Sequence, residues 1–367
     1  MSVMALSRWL RFKIWRLLTI RTFLTLTFCC IVLEITLGLP AFKQHIDDVR
    51  ADDSQVFDGK DLSVTTKDLQ NLKRNVVSHE SFYANRIIHF DLKGAAPKIS
   101  YFKEVLRLIK ASGATGILLE WEDTIPFEGI LAENRNSDAY TVEEVCDLLE
   151  TAKSLNLDVI PLVPTFGHLE WILKVEKFRQ YRQNDMFPQV ICLADDNGVS
   201  VILEAIRQVV QFHLPFGITY FHIGADEAFQ FGECLKDRQW LESNTGKEKN
   251  NLAAMHLAKI ANYVKTLIPD VRVLAWYDMI QSFEKPLIEQ YRLDQLLEVV
   301  VWDYSETLQQ QNERTWNSLA KKFPIVWGSS AFKGANQPSS QFLDLEHYYR
   351  NNQEWVTHRK ISRSVIQ

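Results

Sequence analysis

From residue 86 onward the chain alternates short, almost continuously apolar runs with longer stretches of helical periodicity. The runs are RIIHFDLKG (86–94), GILLEWED (116–123), LDVIPLVPTFGH (157–168), TYFHIGADE (219–227), VRVLAWYDM (271–279), LEVVVWDYS (297–305) and PIVWGSSAFKG (324–334). Rich in β-branched and aromatic residues, they predict strands buried on both faces. After the first, Phe102, Val105, Leu106 and Ile109 recur at i, i+3, i+4 and i+7, with Ser100 as candidate N-cap. Thr141 and Glu144 make a capping box ahead of Val145, Leu148, Leu149 and Ala152, and a further helical pattern covers 341–356. Such alternation builds a parallel sheet. Seven units in roughly 280 residues point to an α/β fold of the TIM (β/α)₈ barrel type rather than a doubly wound sheet. Only Gly94 follows the first strand, so no glycine-rich phosphate turn supports a dinucleotide fold. An eighth strand is missing: after residue 356 the chain ends in THRKISRSVIQ (357–367), which reads as an irregular basic tail.

The N-terminus follows a different pattern. Residues 1–21 carry Arg8, Arg11, Lys13, Arg16 and Arg21 with no acid, and 22–39 read TFLTLTFCCIVLEITLGL, interrupted by Glu34. That arrangement predicts a basic cytosolic tail, a transmembrane signal-anchor over 22–39 and a polar stem over 40–84, preceding the barrel of 85–356. The expected protein is a single-pass type II membrane protein with its body in the lumen of the Golgi or another secretory compartment. The alternative is a cleaved signal near Gly38 and Ala41, leaving a secreted or lysosomal body. No Asn-x-Ser/Thr sequon occurs.

Composition narrows the chemistry. Glycine (14) and proline (11) are too scarce for a collagen-like or low-complexity chain. Setting aside the five N-terminal charges, a net charge of −5 leaves the rest at −10, which argues against nucleic acid as a partner. Cys29 and Cys30 fall in the apolar segment, while Cys146, Cys192 and Cys234 read most simply as buried or free thiols.

Barrel enzymes carry their reacting groups at the C-terminal ends of strands. Here those ends offer Asp91, Lys93, Glu120 to Asp123, His168, Asp226, Glu227, Trp276, Asp278, Trp302, Asp303, Tyr304 and Trp327. Carboxylates among large aromatics suit a sugar site, because pyranose faces pack on rings while acids bind hydroxyls. The adjacent pair Asp226–Glu227 is the sharpest feature. Ordinary glycosidase carboxylates flank the scissile bond from different strands, whereas neighbours on one tip suit substrate-assisted hydrolysis. Glu227 then protonates the leaving oxygen, its acidity tuned by the neighbouring charge, and Asp226 holds a substrate N–H. The bland alternatives are an acidic start to the next helix for Asp226–Glu227 and for Glu120 and Asp123. A metal-dependent hydrolase built on His89, Asp91, His168, His222 and Asp278 is a further alternative. The chemistry needs neither metal nor cofactor.

Together HFDLKGAAPKISYF, ILLEWEDTIPFEG, VIPLVPTFGHLEW, FHIGADEA, WDYS and SAFKGA resemble the hexosaminidase D branch of the family 20 glycoside hydrolases, from about Arg86 to Trp355. The resemblance implies an exo-acting β-N-acetylhexosaminidase that releases terminal N-acetylgalactosamine or N-acetylglucosamine from glycoconjugates. It implies Glu227 as general acid/base and Asp226 as the group that orients the acetamido substituent. Trp276 and Trp302 would wall the acetamido pocket and Tyr304 would hydrogen-bond its carbonyl. Asp91, Lys93, His168, Asp278, Asp303 and Trp327 would support or contact the sugar. Lys93 stands where many members carry arginine, and the tryptophan-bearing eighth strand is absent. A catalytically inactive sugar-binding or truncated form is therefore the rival reading, and a homodimer could cover the open side of the barrel.

Overall fold

The computed structural model describes residues 84–361, except 95, 309–310 and 333–339. The basic tail, the expected anchor over 22–39 and nearly all of the stem lie outside the described residues. Among those described, no helix is long and apolar enough to cross a membrane.

Seven strands form one sheet in chain order: β1 (Ile87–Asp91), β2 (Gly116–Glu120), β3 (Asp158–Leu162), β4 (Tyr220–His222), β5 (Arg272–Trp276), β6 (Leu297–Trp302) and β7 (Val326–Ser329). Every pairing is parallel, and β3 meets β4 through a single register pair, Leu162 with His222. Among the described residues β1 and β7 do not pair, and no eighth strand joins them. Alternation along β2 to β7 separates two cores. Ile117, Leu119, Phe221, Val273, Ala275, Val299 and Val301 face the helices. Their neighbours Leu118, Tyr220, Leu274 and Val300 gather inside with Ile160, Leu162, Trp276 and Trp327. Burial on both faces therefore explains the unbroken apolar runs of β2 to β6, whereas β1, expected to be buried, is half-buried or exposed at every position.

The major helices follow the strands: α1 (Ile99–Ala111), α2 (Val142–Ser154), α3 (Asp196–His213), α4 (Leu235–Ser243), α5 (Lys249–Leu267), α6 (Glu313–Ala320) and α7 (Leu345–Ile361). The Thr141–Glu144 capping box is present on α2. α1 starts earlier than its pattern suggested, with Lys98 rather than Ser100 as N-cap, because Ile99 is itself buried under the helix. α7 runs on to Ile361, past residue 356 where an irregular tail was expected.

Two features hold the structure together beyond the barrel pattern. Cys192 and Cys234 form a disulfide, correcting the free-thiol expectation, and Cys146 is free. α7 grips the tips of β6 and β7. Buried Asn351 donates to the carbonyls of Asp303 (2.9 Å) and Ser305 (2.6 Å) and accepts from the Ala331 amide (2.9 Å). The Trp355 indole donates to the Asp303 carbonyl at 3.1 Å. Its ring fills the space over Gly328, where a Cβ would come within 2.6 Å of it. Trp355→Ala should cost about 3–5 kcal/mol in urea unfolding, the range for deleting a buried tryptophan. A loss below about 1 kcal/mol would show that α7 does not stabilise the β6 and β7 ends.

Candidate active site

Beyond His222 the chain leaves the sheet in IGADEA, where Gly224, Ala225 and Glu227 all have left-handed backbones (φ +63°, +76° and +48°). Only glycine takes such angles freely, so the other two carry strain of the kind that gathers at functional sites. The loop after β3 lies directly against this turn. A Cβ on Gly167 would sit 2.1 Å from the Asp226 carbonyl oxygen, so no other residue permits the approach. The next residue, His168, is also left-handed (φ +54°) and places Nε2 3.3 Å from Asp226 Oδ2 and 3.3 Å from Glu227 Oε2. Its hydrogen bond to Asp226, working against burial, raises its pKa to about 9. His168 is therefore an imidazolium at neutral pH, shared by both carboxylates.

Asp278, just beyond β5, ties three strand tips together. Its Oδ2 accepts the Glu227 backbone N–H at 2.9 Å and its Oδ1 accepts the Trp302 indole N–H at 3.3 Å. Burial raises its pKa, and the charge of Asp226 adds to that, while these hydrogen bonds oppose it. Trp276 packs on His222 with ring centroids 4.4 Å apart, and Trp302 lies 5.1 Å from Tyr304. Burial first, then the charges of Asp226 and Glu227, push the Tyr304 phenol up to about 12, so it keeps its proton.

A second charged group adjoins the first, at the tips of β1 and β2. The Lys93 ammonium lies 3.1 Å from Glu122 Oε1 and 3.7 Å from Glu170 Oε2. Burial disfavours the Lys93 charge, but these carboxylates outweigh it and its pKa ends above the ordinary value. Glu122 is pushed up to about 8, chiefly by burial, with Lys93 opposing. Asp91 Oδ1 accepts the Lys93 backbone N–H at 3.0 Å, and Glu120 pairs with His89 at 3.0 Å.

The strand-end reading thus brings together Asp91, Lys93, His168, Asp226, Glu227, Trp276, Asp278, Trp302 and Tyr304. Two expected residues point elsewhere. Trp327 donates to Glu298 (2.8 Å) and packs edge-on to Tyr220, near the starts of their strands, because it is only the second residue of β7. The Asp303 carboxylate turns back onto the Ser305 amide (2.8 Å) and hydroxyl (2.6 Å). The sequence reading reaches Glu122 only within the span Glu120 to Asp123 at the end of the second run, and it does not reach Glu170. Glu122 lies in a 3₁₀ turn, and Glu170 follows His168 by two residues. The five residues of the metal alternative do not gather as one ligand set among the described residues. His89 pairs with Glu120, His168 with the acid pair, Asp278 with Glu227 and Trp302, and His222 is buried under Trp276. Asp91, Glu120 and Glu122 do converge within 4.8 Å of one another, with the Lys93 ammonium beside Glu122.

The fold and this set of strand-tip acids and aromatics are those of a glycoside hydrolase barrel. Residues 98–359 match the catalytic domain of glycosyl hydrolase family 20, and the chain belongs to that family. It is 36% identical to hexosaminidase D of Bos taurus over 273 residues, covering 74% of this chain and 78% of that protein. To hexosaminidase D of Homo sapiens it is 37% identical over 276 residues, 74% of this chain but 56% of the relative, about half its length. Solved structures share the fold. A β-N-acetylhexosaminidase from Bacteroides fragilis superposes with a TM-score of 0.54 at 15% identity, covering 72% of this chain and 55% of that one. A chitobiase from Flavobacterium johnsoniae gives 0.52 at 15% identity, covering 72% and 43%.

Gly167→Ala should lower kcat/KM about 100-fold by displacing Asp226, since shifts of about 1 Å at reacting groups cost that much. Unaltered kinetics would show the contact to be dispensable. In a proton NMR titration the His168 ring should change charge near pH 9. Asp226→Asn should move that midpoint down toward the ordinary histidine value; a midpoint unaffected by the substitution contradicts the pairing. Because the folded-state pKa is the higher one, the stabilisation from this pairing is complete below pH 6.5 and lost as pH rises through about 9.

Proposed function

We propose that the chain is an exo-acting β-N-acetylhexosaminidase, removing terminal N-acetylgalactosamine or N-acetylglucosamine with retention by substrate-assisted catalysis. The observation that carries this reading is the acid pair: Asp226 and Glu227 leave one strand tip and reach one imidazole nitrogen, so no sugar ring fits between them. They cannot serve as nucleophile and acid on opposite faces of a glycosidic bond.

The steps follow from that placement. Glu227 donates its proton to the glycosidic oxygen as the substrate's own acetamido oxygen closes on the anomeric carbon. Asp226 accepts the acetamido N–H and offsets the charge that develops on the resulting ring. Tyr304, protonated at every working pH, donates to the acetamido carbonyl, and Trp276 and Trp302 enclose its methyl. Glu227 then takes a proton from water as it opens the ring at the anomeric carbon, returning the β-configuration. Lys93, held by Glu122 and Glu170, and Asp91 bind sugar hydroxyls at the neighbouring tips. In the free enzyme His168 occupies the anionic centre that the acetamido group takes over.

The open sheet, with β1 and β7 unpaired among the described residues, keeps a second reading alive: a domain that binds the sugar without turning it over. Hydrolysis of the nitrophenyl β-N-acetylgalactosaminide and β-N-acetylglucosaminide separates the two, and their rate ratio gives the sugar preference. Glu227→Gln should lower kcat by about 100- to 10,000-fold, the contribution of a general acid. Equal turnover by the variant would remove Glu227 from the mechanism, and binding without turnover by the unaltered chain would favour the second reading. We further place the body in the secretory lumen behind an N-terminal anchor. That placement requires the body to resist added protease in intact microsomes, and its digestion there would contradict it.

A further inference from the structure

Next to the loop that carries the acid pair, the loops after β3 and β4 form a half-open surface pocket of about 200 Å³ that the reaction scheme does not use. Its lining includes Phe187, Gln189, Phe229 and Gln230. Phe229 lies two residues beyond Glu227, and its amide donates to the Glu227 carbonyl at 3.0 Å, so its Cα is at most about 7 Å from that of the acid. From the other side, the Gln189 carbonyl accepts the amide of Leu169, the neighbour of His168, at 3.0 Å. Both walls thus join the catalytic loops directly.

Four properties define what the cavity would hold. Phe229 and Phe187 are 78% and 49% exposed, large apolar rings left in solvent at the edge of a reaction centre. The side-chain amides of Gln189 and Gln230 make no hydrogen bond among the described residues and offer both donors and acceptors. No charged residue is among those lining it, which suits a neutral ligand. Its volume is below the range for drug-sized ligands and suits one ring within the pocket.

The walls are also built to stay in place. Gln183 accepts the amides of Glu233 (2.9 Å) and Cys234 (3.0 Å) and donates to the Ile191 carbonyl (2.9 Å) and to buried Asp237. Asp237 in turn accepts the Ala194 amide at 2.7 Å and the Gly232 amide at 3.3 Å. The Cys192–Cys234 disulfide links the same two loops covalently. A pre-formed cavity avoids the entropy of ordering loops on binding.

We infer that this cavity is the leaving-group subsite, and that it binds one neutral sugar ring attached to the scissile oxygen. The inference rests on the hydrolase reading, because a general acid must touch the oxygen that the departing sugar carries. Phe229 and Phe187 take the faces of that ring, and Gln189 and Gln230 its hydroxyls. The enzyme therefore selects its substrate by two rings, the second read by the β3 and β4 loops.

The test compares two substrates of the full chain: a neutral β-linked disaccharide ending in the preferred N-acetylhexosamine, and the glycosyl fluoride of that same sugar, which has no second ring. Phe229→Ala and Gln230→Ala should each lower the ratio of disaccharide to fluoride kcat/KM about fivefold or more, as loss of one ring contact or hydrogen bond predicts. An unchanged ratio, or an equal fall for both substrates, overturns the assignment. So does an unchanged ratio accompanied by a shift in sedimentation, which would make the patch a contact between copies of the chain. Calorimetry of disaccharide binding to Glu227→Gln, with and without Phe229→Ala, reads the subsite independently of turnover. Weaker binding in the double variant shows that the pocket holds the second ring, separating a failure of the pocket from a failure of the hydrolase reading, and equal binding refutes the assignment.

Discussion

The carbonyl oxygen of Asp226 lies where a side chain on Gly167 would have to be, and much of the site follows from that contact. Because the two backbones can touch, the loop after β3 comes close enough for one imidazole nitrogen to meet both acids. Because β4 ends after three residues, the chain is free to take the left-handed turns that aim those acids out of the barrel mouth. The strain of Ala225, Glu227 and His168 is tolerable only while surrounding contacts hold it. Asp278 supplies one such contact, by fixing the Glu227 amide and the Trp302 indole at once.

Electrostatics at the barrel mouth is a contest between burial and pairing, and it resolves differently at neighbouring positions. Burial dominates at Glu122 and Asp278, raising both carboxyl pKa values. Pairing dominates at Lys93 and His168, which keep their protons despite burial. The outcome is a surface with fixed cations set among acids rather than a bare acidic pocket.

Much of this was legible in the sequence because continuous apolar runs mark the strands of a parallel sheet, and seven of them in order leave little choice of topology, although the first is half-buried or exposed along its length. The acid pair was legible because two adjacent carboxylates at a strand end are unusual. Other features leave no one-dimensional trace. Trp327 reads as a tip residue until the start of β7 at Val326 shows how deep it sits, and Asp303 reads as a site acid until Ser305 claims its carboxylate. The pairing of Cys192 with Cys234 depends on two distant loops meeting, and the pairing of Lys93 with Glu122 and Glu170 on three strand tips converging.

The central claim is that the substrate's acetamido oxygen, steadied by Asp226, is the nucleophile. Its most direct test is the rate of hydrolysis of aryl β-glycosides whose N-acetyl methyl carries zero, one, two or three fluorines. Each fluorine withdraws electrons from that oxygen without changing the leaving group. Participation predicts that kcat falls steeply and progressively along the series. A kcat independent of fluorination would contradict it and require a nucleophile from the protein itself.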